Sequence, residues 1–213
     1  IPSSGSSALS RGEAAGGGII ADGANEVLKR SREQLMLSAT QLKLAAGGGV
    51  SSSYDPIDVS QYTEEEFRAA VSAAENWGTY VSVHAYTPKS IQTALKGGVK
   101  IIEHAQLMDE PTAKMMAEKG AWFSSQAFID NEYANPQAGA NREKQKKVQA
   151  GTDKSFELAK KYKLNVAWGT DILFNPEMTK NQGALLTTMT RWYSPADVLK
   201  MATSTNASLL QLS

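Results

Sequence analysis

Hydrophobic and polar positions along this chain fall into two alternating kinds of pattern. Residues 40–45 in "TQLKLAAGGG", then "TYVSVHAY", "VKIIEHA", "AWFSSQAF" and "LNVAWGTD", are short apolar runs without strict alternation. Runs of that kind suit strands covered on both faces, as in a parallel sheet. Between them lie segments with the helical period. "ADGANEVLKRSREQLM" puts Val27, Leu28, Ser31 and Leu35 on one face, and "YTEEEFRAAVSAAENWG" does the same for Phe67, Ala70, Val71 and Ala74. The second of these opens on a Thr63/Glu66 capping box and stops at Gly78. Thr87 followed by Pro88 starts a further helix that ends at Gly97, and Asp109 starts another that closes at Gly120. Residues 141–163 read as a long charged helix, and "SPADVLKMATSTNASLLQL" as one or two closing helices. Each strand followed by a helix predicts an α/β fold built from right-handed βαβ crossovers.

Composition narrows the class. The 213 residues suit one domain, with 22 basic residues balanced by 22 acidic ones. Without net charge, long-range attraction to nucleic acid or an anionic membrane is absent, and neither is expected as a partner. No apolar run approaches the length of a membrane span. The absence of cysteine excludes disulfides, thiolate metal sites and thiol nucleophiles. Residues 1–22, rich in Ser and Gly, read as a flexible lead-in rather than a signal peptide, and residues 23–213 as the domain. A cytoplasmic setting is the expectation.

Four polar residues interrupt or end the apolar strands. Lys43 sits inside the first; His84 and His104, the only histidines, close two others; Asp171 ends the last. In parallel α/β folds the carboxyl ends of strands converge on one mouth, where ligands and catalysis gather. Two imidazoles and a carboxylate there are donors suited to zinc or a similar divalent metal. Each residue also has a plainer use. A single strand-end histidine commonly makes a structural hydrogen bond, and Asp171 suits the cap of its loop. Lys43 is a costly buried cation unless it is paired, modified or reaches its amine to the strand end. It is the coincidence of equivalent positions that favours chemistry. Tyr86, two residues past His84, faces either substrate or the strand-end packing. "AAGGGVSSS" lacks the ending of a phosphate loop and reads as a flexible loop beside the site. The long charged helix, its basic residues interleaved with acids, reads as a solvated outer helix.

"QLKLAAGGG", "VSVHAYTP", "GVKIIEHAQLMDE" and "VAWGTD", taken in order, resemble the amidohydrolase superfamily, within it the imidazolonepropionase-like and Xaa-Pro-dipeptidase-like metal-dependent hydrolases. The likeness covers nearly all of residues 20–213. It implies a (β/α)₈ TIM-type barrel carrying one or two divalent metals, zinc foremost. By resemblance, Lys43 is the fourth-strand lysine, often carboxylated and bridging two metals. His84 and His104 become the fifth- and sixth-strand ligands, and Asp171 the eighth-strand aspartate, both ligand and catalytic base. Tyr86 becomes a substrate contact. The implied reaction is hydrolysis of an amide in a dipeptide, an N-acyl amino acid or a cyclic amide by metal-activated water.

The chain departs from that pattern in one respect. The family carries a His-x-His pair on its first strand, and none occurs here. The chain is therefore expected to supply strands 4 to 8 of the barrel, a partial barrel completed by missing strands or by a homo-oligomeric partner, and to hold metal weakly by itself. The alternative expectation is a catalytically incompetent barrel fragment that folds and binds a partner chain.

Overall fold

The computed structural model describes residues 18–172 and 175–212. Most of the Ser/Gly-rich lead-in lies outside the described residues. Helix α1 (Ala24–Met36) buries Val27, Ser31 and Leu35. It leads into strand β1 (Leu42–Ala45). Then come α2 (Glu64–Asn76), β2 (Val81–Ala85), α3 (Pro88–Lys96), β3 (Ile101–His104), α4 (Glu110–Glu118), β4 (Trp122–Ser125), α5 (Gly139–Lys161) and β5 (Asn165–Trp168). Short helices α6 (Gln182–Thr188), α7 (Pro195–Lys200) and α8 (Asn206–Leu209) finish the described chain, with a π-helical turn at Met201–Thr205 between the last two. No helix among the described residues is long and apolar enough to cross a membrane.

Local chemistry places the helix ends where the sequence predicts them. The Thr63 hydroxyl accepts from the Glu66 backbone N–H, and the Glu66 carboxylate accepts from the Thr63 N–H, so both halves of the capping box form. The same carboxylate accepts from the Gly23 N–H at 2.6 Å, tying the start of α1 to the start of α2. Asp109 caps α4 through the Thr112 N–H. The strands are shorter than their apolar runs, and β5 stops at Trp168, before Asp171.

The strands form one parallel sheet in the order β1-β2-β3-β4-β5, each new strand added to the same edge. That order belongs to a singly wound barrel wall, since a doubly wound sheet reverses direction at a switch point. Register then fixes the two faces. Leu44, Val83, Ile102, Phe123 and Val166 align across the sheet and are buried beneath the helices. The opposite face carries Lys43, Ser82, Ile101, Trp122 and Asn165 in one layer, then Ala45, His84, Glu103, Ser124 and Ala167 in the next. The helix-covered side is the main core. Phe156 on α5 joins Phe123 to Trp192 there, with ring centroids 5.5 and 4.3 Å away.

Lys43 differs from expectation. It is exposed, because β1 is the last strand of the described sheet and its helix-free face is open. No buried cation has to be neutralised at this position.

Candidate active site

The site is assembled at the carboxyl ends of β2 and β3. His84 arrives on the helix-free face by simple alternation. His104 does not: its register partner is Ala85, whose side chain faces the helices. Yet the two imidazole rings lie 4.5 Å apart, centroid to centroid. The backbone at His104 supplies the turn, with φ at +79° followed by +50° at Ala105. Left-handed φ at consecutive non-glycine residues is uncommon and costs free energy, and such strain collects at functional positions. Asp171 also holds a left-handed φ of +50° just beyond β5.

Each imidazole has one nitrogen committed to an acceptor. Nε2 of His84 lies 3.0 Å from the backbone carbonyl of Gly48. Nδ1 of His104 lies 2.7 Å from Oε1 of Gln126. Carbonyl oxygens only accept, so these nitrogens carry the protons, and in a neutral ring the other nitrogen keeps its lone pair. The rings are neutral. His84 is pushed down to about 3 by burial first, then by His104 and Lys43, against the Gly48 bond and Asp171. His104 is pushed down to about 3 by burial and then Lys43, against the Gln126 bond. Protein surrounds both rings, although His84 keeps some access from the mouth.

Tyr86 completes the aromatic group, its ring 4.9 Å from that of His84 and 5.1 Å from that of His104. Burial, with a smaller push from Asp171, raises its phenol, so the hydroxyl stays protonated. Phe128 stacks on His104 at 6.1 Å. Asp171, like Lys43, is exposed. Protein crowding raises its carboxyl, while Lys43 and His84 pull it down, which places all three within electrostatic reach. The structure therefore brings His84, His104 and Tyr86 into ring contact, and sets Lys43 and Asp171 in the same field. Among the described residues, no three of His, Asp, Glu and Cys are gathered closely enough to hold an ion. The donor chemistry nevertheless fits a divalent cation, because two adjacent neutral imidazoles each retain a lone pair.

Sequence reasoning missed the groups that orient the rings. Gln126 stands one position past β4, a polar residue at the end of an apolar strand, the same signal that singled out the histidines. The Gly48 carbonyl carries no side-chain signal at all. The "AAGGGVSSS" segment does lie beside the site, but it is tied down. Gly47 bridges to Ser60, Gln61 donates to the Gly47 carbonyl, and the Gly49 N–H donates to Asp55. A Cβ at Gly48 would stand 1.9 Å from the Pro56 carbonyl oxygen, so only glycine fits there. A cavity of about 220 Å³ lies at the opposite ends of the strands, lined by Tyr80, Lys100 and Trp122, well away from the imidazoles.

Known proteins share this arrangement of strands. The amidohydrolase family model matches residues 5–213. Ochratoxinase of Aspergillus niger is 34% identical over 156 residues, 71% of this chain and 32% of its own. A solved amidohydrolase superposes with a TM-score of 0.85 at 36% identity, covering 92% of this chain and 48% of that one. A prolidase solved with N-methylphosphonate-L-proline gives 0.84 at 33% identity, covering 91% and 48%. The chain thus spans about a third of the curated relative and about half of the solved ones. With the family model reaching across almost the whole sequence and the strand order of a barrel wall beneath it, the chain belongs to the amidohydrolase family.

Proposed function

We propose that this chain supplies the metal-holding half of an amide hydrolase acting on small substrates, with dipeptides ending in proline and N-acyl amino acids foremost and cyclic amides the remaining class. The observation that carries the reading is the adjacent pair of neutral imidazoles, each with one nitrogen tied and the other left with its lone pair. Support for the substrate class comes from the relatives. One prolidase binds a phosphonate analogue of a proline peptide, a group shaped like the tetrahedral stage of amide hydrolysis, and an Xaa-Pro dipeptidase is 28% identical.

His84 through Nδ1 and His104 through Nε2 would hold the cation, zinc foremost, joined by Asp171 and by Lys43 as its carbamate. A bound divalent cation supplies Lewis acidity toward a carbonyl and toward water. The chain's own residues do the rest. Asp171, solvent-facing at the mouth, accepts the proton of the attacking water and returns it to the leaving amine. Lys43, exposed at its end of the sheet, is open to carbon dioxide. Tyr86 keeps its proton and serves as a donor toward substrate, while Tyr86 and Phe128 wall off water behind His104. We place the protein in the cytoplasm and take a homo-oligomer, or added barrel strands, to complete the wall.

The test joins the chain to the first three strands of the prolidase relative and assays Xaa-Pro dipeptides and N-acyl amino acids with zinc. Hydrolysis abolished by chelator and by His84→Asn, His104→Asn and Asp171→Asn is expected. Stoichiometric zinc without hydrolysis of any of these substrates would instead favour the second reading, a non-catalytic barrel half that binds a partner. The dispersed donor set is the observation behind that alternative.

A further inference from the structure

The loop that orients His84 is held by a residue far away in sequence. Lys144, on the second turn of α5, places its Nζ 3.2 Å from the Gly49 carbonyl, 2.7 Å from that of Ser52 and 2.8 Å from that of Asp55. An ammonium has three protons and no lone pair, so this fan uses its whole donor capacity. Three carbonyl dipoles aimed at one point repel one another unless a cation sits between them. The loop's shape therefore depends on this amine. The adjoining Gly48 carbonyl is the acceptor for Nε2 of His84. Other bonds close the loop upon itself, through Ser52 Oγ to Gly49 and Gly49 N–H to Asp55, while the lysine hydrogen-bonds it to the helix that follows β4, beside the apolar cluster that holds Val50 and Val148.

We propose that Lys144 is a positioning residue, acting through the 47–55 loop to hold the Gly48 carbonyl on Nε2 of His84 and so to fix which nitrogen of that ring keeps its lone pair. The chain of contact runs from α5 through three carbonyls to a strand-end imidazole. Its consequence for a bound cation rests on the metal-holding role proposed for His84; its structural content does not. Loss of an orienting hydrogen bond to a metal-binding imidazole typically weakens the metal about 10- to 100-fold.

The experiment reads the His84 ring directly, by ¹H–¹⁵N spectra of the imidazoles in the 213-residue chain, followed by titration with zinc ion. In the unaltered chain the Nε2 proton of His84 is expected to be present and slow to exchange. Lys144→Met should speed that exchange about tenfold or more, mix the two neutral tautomers, and weaken zinc about tenfold, in a chain whose circular dichroism is unchanged. Lys144→Arg, which keeps the charge and part of the fan, should restore the signal in part. Lys147→Met, an exposed lysine of the same helix, should change nothing. An unaltered His84 signal in folded Lys144→Met overturns the proposal. A changed His84 signal in a chain that binds zinc nowhere supports the positioning role and counts against the metal reading alone. If Lys144→Met does not fold, the unaltered chain decides: a slowly exchanging lysine ammonium, lost in Lys144→Arg, supports the tether, and its absence overturns it.

Discussion

At the scale of single residues, the site is a problem in keeping two imidazoles neutral and oriented. The unfolded chain takes up a proton at each ring near pH 6.5, whereas the folded chain does so only near 3. Between those values the unfolded state binds more protons. Stability is therefore full above about pH 6.5 and is lost as pH falls toward 3, at up to about 1.4 kcal/mol per pH unit for each ring. Urea unfolding followed downward from neutral pH should show this decline, and His84→Asn combined with His104→Asn should flatten it. A metal bound to the same nitrogens competes with protons in the same direction. Gln126→Leu frees Nδ1 of His104 from its acceptor, and zinc affinity should fall about 10- to 100-fold as read by calorimetric titration. An affinity that stays unchanged would remove Gln126 from the site.

At the scale of elements, caps and close approaches should set local stability. Thr63→Ala removes the hydroxyl that accepts at the start of α2 and should cost about 1 kcal/mol in chemical denaturation. Gly48→Ala drives a methyl into the Pro56 carbonyl and forces the loop outward. The His84 Nε2 proton should then exchange faster even where global stability holds. Helix ends were legible beforehand because Thr63 and Asp109 bond the backbone of their own next turn and Pro88 takes the first helical turn after Thr87, so the code is local. The histidines were legible as polar breaks in apolar runs. The inward swing of His104 was not, because it depends on a left-handed backbone that a histidine does not advertise. In the sequence Lys144 is indistinguishable from the rest of a solvated helix, since its partners lie 89 to 95 positions away and are backbone carbonyls. The exposure of Lys43 was hidden for a different reason: an apolar strand sequence is the same in the middle of a sheet and at its edge.

At the scale of the whole molecule, the sheet is one layer wall backed by helices, with its chemistry on the uncovered face. Phe123 on β4 is fully buried between sheet and α5, and Phe123→Ala should cost about 3–5 kcal/mol, measured by urea unfolding. The wall brings two imidazoles into contact and leaves the remaining donors at longer range, so the chain by itself is expected to bind a divalent cation weakly but through both rings. The most direct measurement is the ¹⁵N spectrum of both imidazoles at neutral pH while zinc is added. Two neutral rings are expected, with Nδ1 of His84 and Nε2 of His104 shifting together along one binding curve. Protonated rings at that pH, or zinc that moves one ring or neither, would contradict that expectation.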